Sequence, residues 1–408
     1  MATPDSAGMS AARLERIAPA MRSYVDRGTY AGVSTIIARR GIVVHAAQYG
    51  LRDREAGKPM TEDTIFRLYS MTKPIVSTAL MMLLEEGRFR LIDPVARHVP
   101  AFAGVKVLEA DGSLSDPRRP MMVRDLLTHT SGLTYHFLSD SKVSDMYADA
   151  KILKPTVPLG EAVDDLARFP LAFQPGSRWQ YSVGIDVAAR VIEVISGQAL
   201  GDFLEERLFG PLGMVDTAFE VPADRRDRLA AMYGRPDLIV PPIKFLKSFA
   251  LWQQGFNERI DVSATYPVDS PASFQRGGHG LFGTPRDYLR FAQMLANGGE
   301  LDGVRYLSRK TLALMHSNHV PPALLPLEVG GFPLPGHGFG LGSRVVGDVA
   351  QTGAPGSLGE FGWAGAAKTY YWVDPVEQIV GIFMTQSMSS FDLPEMDLRG
   401  LAYGAITD

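Results

Sequence analysis

The sequence predicts an α/β protein of the α+β kind: an antiparallel β-sheet flanked by helices, with a mostly helical lobe inserted into it. Three observations carry this. Two β-branched runs stand near the N-terminus, two strand-like runs stand near the C-terminus, and the long middle is helix-patterned with Pro/Gly connections. At 408 residues the chain has room for two or three domains, or for one unit in two lobes. The expected division is a discontinuous sheet lobe, 1–69 plus 275–408, and a mainly helical lobe, 70–274, with the functional cleft at their junction.

Taken in order, Leu14, Ile17, Met21 and Val25 recur at spacings of three and four, so one amphipathic helix is expected over Ser10 to Arg27. Gly32 to Arg39 and Ile42 to Gln48, separated by Arg40-Gly41, read as a hairpin. Ser70 to Glu86 carries apolar residues at every position from Ala79 to Leu84, which predicts a helix buried almost all round and stopped by Gly87. Helical patterns follow over Gly160 to Phe169, Gly184 to Ser196, Leu200 to Leu208 and Thr284 to Asn297. Ala367 to Trp372 and Glu377 to Met384 read as strands joined through Asp374-Pro375, completing a sheet with the N-terminal hairpin.

Composition removes whole classes of chemistry. The chain has no cysteine, which excludes disulfides, thiolate nucleophiles, Cys-type zinc sites and iron–sulfur clusters. Lys+Arg 41 against Asp+Glu 45 gives a net charge of -4 with no basic run, which disfavours nucleic acid as a partner. No apolar stretch approaches the roughly 20 residues needed to span a bilayer, and residues 1–28 lack the apolar core of a signal peptide. A cytoplasmic location with no membrane partner is therefore expected. Any nucleophile must be an oxygen or a nitrogen.

Ser70-Met71-Thr72-Lys73 places a hydroxyl and an amine three residues apart, on one face of a helix start. The partial positive charge of a helix N-terminus favours a developing alkoxide on Ser70, and Pro74 is tolerated best in a first turn. The same spacing recurs at Ser139 and Lys142, in a polar stretch with no buried helix expected after it. Tyr181-Ser182 follows a Pro/Gly turn; its phenol can act as a base beside a cation such as Lys73, or be only a packed aromatic. In Gly362-Trp363-Ala364-Gly365-Ala366-Ala367, small residues allow a substrate carbonyl to approach the backbone, or simply pack a sheet tightly. There is no G-x-S-x-G elbow. His316 and His319 lack an acidic partner and read as a solvated helix end, and Met81 and Met82 as core.

These segments, together with Leu126-Leu127-Thr128-His129-Thr130-Ser131-Gly132-Leu133, Pro211-Leu212-Gly213-Met214 with Thr217, and Gly280-Leu281-Phe282-Gly283-Thr284, resemble the serine β-lactamase/penicillin-binding protein-like superfamily in its class C-related branch. Within it the chain is similar to the family VIII carboxylesterases. The resemblance implies a β-lactamase/transpeptidase-like fold and a serine esterase acting on short-chain esters through an acyl-enzyme. It implies Ser70 as nucleophile, Lys73 and Tyr181 as the base pair, and the amides of Ser70 and Ala366 as oxyanion hole, with neither cofactor nor metal. Val183 departs from the Y-x-N pattern of the lactamases, and Trp363-Ala364-Gly365 stands where they have K-T-G. Lys368-Thr369 resembles that box, but Tyr370 follows where Gly is needed.

Trp363 in place of a cation favours a neutral ester over a β-lactam carboxylate. A lactamase or D-amino-acid peptidase, an acyltransferase using the same acyl-enzyme, and a non-catalytic binding protein are the competing readings. Trp363, Gly365, Tyr135 and Trp252 are the expected substrate-binding residues, with His136 beside Tyr135; the stretch Ile243 to Phe256 reads either as wall or lid of the acyl pocket or as an ordinary core helix.

Overall fold

A computed structural model describes residues 3–138, 141–152, 154–234, 258–269, 274–388 and 392–408. Its centre is an eight-stranded antiparallel sheet. In chain order the strands are β1 (Gly32–Arg39), β2 (Ile42–Asp53), β3 (Lys58–Pro59), β4 (His337–Phe339), β5 (Arg344–Val346), β6 (Phe361–Gly365), β7 (Thr369–Asp374) and β8 (Ile379–Met384), and their spatial order is β4-β5-β6-β7-β8-β1-β2-β3. The first and last strand groups therefore meet at β1 and β8, where Ile36 faces Ile382 and Ala38 faces Val380. The expected hairpin forms, and Arg40 (φ 54°) and Gly41 (φ 76°) turn it in the left-handed region that matches strand twist.

Strand alternation sorts the sheet residues into two cores. Ile36, Ala38, Tyr371, Val373, Val380 and Ile382 join the core shared with the helical lobe. Val33, Ile37, Tyr370, Trp372, Ile379 and Phe383 pack on the other face against the terminal helices. Those helices are α1 (Ala11–Leu14), α2 (Ile17–Asp26) and, at the far end of the chain, Pro394–Tyr403. The single helix expected over Ser10 to Arg27 is thus broken. Pro19 cannot donate to the Glu15 carbonyl, so it ends up in the first turn of a second helix.

The inner face meets α3 (Thr72–Glu85) and the helices of the inserted lobe, α4 (Val123–Leu127), α5 (Lys142–Ala150), α6 (Leu159–Leu166), α7 (Gly184–Ser196) and α8 (Leu200–Leu204), followed by α9 (Pro285–Ala296). α3 is buried from Thr72 through Leu83, as its sequence requires. Four expectations are corrected. The helix proper begins at Thr72, with Ser70 in a single 3-10 turn before it. Ala367 and Lys368 lie in the turn between β6 and β7 rather than in a strand. A half-buried helix, α5, does follow the second S-x-x-K tetrad; Lys142 is exposed on it and Ser139 lies outside the described residues. His316 is half-buried and stacks on Phe361, ring centroids 3.4 Å apart. Among the described residues no helix is long and apolar enough to cross a membrane.

Two predictions follow from this packing. Gly381 lies opposite Trp372, and a Cβ there would sit 2.0 Å from the fully buried indole. Gly381→Ala is expected to cost about 1–3 kcal/mol through overpacking, read as a lower denaturant midpoint. Burial also holds His45 near a pKa of about 4, and His316 and His337 near about 3. The unfolded chain takes up these protons below about pH 6.5 while the folded chain refuses them, so stability falls as pH drops from there. In urea unfolding at pH 7 and pH 4.5, His316→Phe should narrow the gap between the two midpoints; an unchanged gap contradicts the assignment.

Candidate active site

Ser70 stands where α3 meets strands β6 and β7 of the sheet, on a turn fixed from several sides. Tyr69, just before it, has a left-handed backbone (φ 46°), a conformation costing a non-glycine residue about 1 kcal/mol or more. Neighbours hold it there. Leu68 N–H donates to Leu281 O (2.9 Å), Thr369 Oγ1 donates to Leu68 O (3.2 Å), and Tyr288 OH donates to Met71 O (3.0 Å). The Tyr69 ring packs on Tyr266 at 4.7 Å.

Lys73 is fully buried on the first turn of α3. Its Nζ lies 2.9 Å from Ser70 Oγ and donates to Gly278 O at 2.7 Å. Tyr181 OH approaches Ser70 Oγ from the other side at 2.7 Å. Three residue types singled out in the sequence thus converge on one oxygen, although 108 positions separate Lys73 from Tyr181.

The phenol is held by an aromatic cage. Trp363 Nε1 donates to Tyr181 OH (3.3 Å), and the His129, Tyr135 and Trp363 rings pack on the Tyr181 ring at 4.8, 5.3 and 5.4 Å. His129 itself has a left-handed backbone (φ 57°), accepts Gln180 N–H at its carbonyl (2.8 Å), and sets Nδ1 3.1 Å from Ser182 Oγ. Burial, with Lys73 nearby, keeps its imidazole well below the usual pKa, and hence neutral. Tyr135 is buried, lies under Lys73 Nζ at 5.2 Å, and stacks on the half-buried Phe137.

Gly365 touches the Ser70 turn rather than lining open space. A Cβ there would sit 2.4 Å from Leu68 O and 2.2 Å from Thr369 Oγ1, so only glycine lets the end of β6 approach the Ser70 turn. Ala366, the next residue, is exposed. Lys368 is directed elsewhere: its Nζ donates to Asp392 O (2.5 Å) and reaches Glu395 Oε1 (3.4 Å). Trp252 and the stretch Ile243 to Phe256 lie outside the described residues.

Two contributors escaped the sequence reading. Gly278 acts through its carbonyl, and Asp186, fully buried on α7, fixes that peptide by accepting Gly278 N–H at Oδ1 (3.0 Å). Burial raises the Asp186 carboxyl against the opposing pull of Lys73. No spacing rule links Lys73 to a carbonyl 205 positions away or Asp186 to an amide 92 positions away, and Asp186 sits in a helix first turn, where an acidic residue is ordinary.

The Beta-lactamase family model matches residues 17–405. Protein Rv1367c of Mycobacterium tuberculosis is 37% identical over 378 residues, covering 90% of this chain and 88% of that protein. Esterase EstB of Burkholderia gladioli is 35% identical over 349 residues, covering 84% and 82%. The solved structure of EstCE1, described as a hydrolase with promiscuous acyltransferase activity, superposes with a TM-score of 0.80 at 28% identity, covering 97% of this chain and 99% of that one. The chain belongs to the beta-lactamase family and is a serine hydrolase of that fold.

Proposed function

We propose that the protein is a carboxylesterase that hydrolyses short-chain esters through an acyl-enzyme on Ser70, with Lys73 and Tyr181 as its base pair. The observation that carries the proposal is the placement of Lys73 Nζ and Tyr181 OH 2.9 and 2.7 Å from Ser70 Oγ. With either a neutral Lys73 amine or a Tyr181 phenolate beside a protonated Lys73, the pair can take the Ser70 proton as the oxygen attacks a carbonyl. The Ser70 oxygen bonds to the acyl carbon and the proton passes into the Lys73/Tyr181 pair. The negative charge on the carbonyl oxygen falls to the amides of Ser70 and Ala366. As the alcohol C–O bond breaks, Tyr181 returns a proton to the departing oxygen. Water then enters by the same route in reverse, giving the acid and free Ser70.

Supporting an ester rather than a β-lactam is the neutral donor at Trp363. Its N–H steadies the Tyr181 oxygen without supplying a charge for a substrate carboxylate. Tyr135, beside Lys73 and Tyr181, is assigned to the wall of the substrate cleft, and Gly365 to setting the position of Ala366. The relative named as an esterase at 35% identity supports the same reading. An acyltransferase variant, in which an alcohol replaces water, is favoured by the likeness to EstCE1.

Purified protein should be labelled at Ser70 by a fluorophosphonate and should turn over p-nitrophenyl butyrate far better than nitrocefin. Ser70→Ala should abolish labelling and lower kcat by on the order of 10⁴-fold, and Lys73→Ala by several orders of magnitude. Full activity in Ser70→Ala rules the assignment out. Lys142→Ala, in the second tetrad, should be silent. Trp363→Phe keeps the ring but removes the N–H, and its kcat/KM for the ester should fall about 3–10-fold, the worth of one neutral hydrogen bond.

A further inference from the structure

The segment leading into Tyr181 carries side-chain polar groups with no hydrogen-bond or ion-pair partner among the described residues. Arg178, Trp179 and Gln180 line a cavity of about 310 Å³ together with Leu138, Leu324 and Glu328. Gln180 is 7% exposed, yet its carboxamide makes no hydrogen bond among the described residues. The guanidinium of Arg178 and the carboxylate of Glu328 are likewise unspent, and they form no ion pair with each other across the hollow. Trp179 is 6% exposed, and its Nε1 has no partner either. The Gln180 carboxamide still meets water, so an occupant that bonds to it takes the place of water there.

The chemistry of the lining selects the occupant. An anionic group would meet Glu328, a cationic one would meet Arg178, and an apolar one would strand Arg178, Gln180 and Glu328 alike. Hydroxyl groups each donate and accept, so adjacent hydroxyls on one molecule can receive from Arg178, donate to Glu328 and do both with the Gln180 amide. Position assigns the cavity to one half of the substrate. Gln180 directly precedes Tyr181, and the Trp179 and Tyr181 rings share one neighbour, His129, at 5.9 and 4.8 Å. Tyr181 is the group that, on the proposed mechanism, hands a proton to the departing alcohol.

We infer that this cavity is the leaving-alcohol subsite and that it takes a polyhydroxylated alcohol, making acyl esters of polyols the preferred substrates. The inference rests on the esterase reading above. The reaction is unchanged in its balance: the acyl carbon exchanges its bond to the polyol oxygen for one to Ser70, and the polyol leaves with the Tyr181 proton.

The test compares kcat/KM for glyceryl monobutyrate, ethyl butyrate and butyrylcholine, which share one acyl group. Wild-type protein should favour the glyceryl ester over the ethyl ester by at least tenfold, mainly through KM. Arg178→Ala and Glu328→Gln, both at exposed positions, should each cut that ratio about fivefold. Equal rates on glyceryl and ethyl esters, a preference for butyrylcholine, or an unchanged ratio in both variants overturns the inference while leaving the esterase reading standing. No turnover of any of the three, nor of p-nitrophenyl butyrate, overturns both together.

Discussion

A fully buried lysine amine governs the architecture around Ser70. An amine withdrawn from water is tolerated only with hydrogen-bond partners, because leaving it without them costs several kcal/mol. Lys73 finds two, Ser70 Oγ on its own turn and Gly278 O from a segment 205 residues away. That carbonyl is in place because the segment lies directly on α7. A Cβ on Gly277 would sit 2.4 Å from Ile185 O, and one on Gly278 would sit 2.4 Å from Asp186 Oδ2. The satisfaction of one amine therefore fixes how α3, α7 and the 277–278 segment meet, and with α7 comes Tyr181, three residues before the helix begins.

The other half of the constraint is backbone. The Ser70 turn is bonded to Leu281, Thr369 and Tyr288, and it abuts Gly365 with no room for a side chain. These contacts hold Tyr69 in an unfavourable conformation, a strain that persists only where the surroundings over-determine it. A turn held this way gives up little freedom when substrate binds, which is how fixed geometry lowers a barrier. Rigid framing of Ser70 by the sheet and of Lys73 and Tyr181 by the helices also explains why these three side chains meet where the two pack together.

How much of this was legible in the sequence depends on the range of the signal. Periodicities of two and 3.6 revealed the β1–β2 hairpin, α3 and α7, because each buries a face that its own residues define. The short strands β4 and β5 escaped, since three residues carry no periodicity. The break at Glu15-Arg16 escaped because an apolar stripe was allowed to outweigh Pro19. Ser70 with Lys73 was visible through local spacing, and Tyr181 through its turn. Gly278 and Asp186 were not, because their contribution is a peptide orientation set by packing between distant segments. The second tetrad shows the converse: identical letters and even a helix after them, but an exposed lysine without a buried partner.

Around Tyr181 the surroundings decide which substrates the proposed machinery can accept. His129, Trp179, Phe339 and Trp363 form a continuous ring cluster, with His129–Phe339 at 5.1 Å, Trp179–Phe339 at 5.6 Å and Phe339–Trp363 at 5.2 Å. Such a wall excludes water and lowers the local dielectric, which strengthens hydrogen bonds to Ser70 and raises the cost of bringing in a bare carboxylate. A cation at position 363 would offset that cost, since an ion pair at about 4 Å contributes roughly 4 kcal/mol near a protein surface. The indole N–H offers only a neutral hydrogen bond, already spent on Tyr181. On the proposed esterase reading, discrimination against a β-lactam rests on desolvation more than on shape: a neutral ester would enter without the penalty that its carboxylate-bearing competitor has nothing to repay.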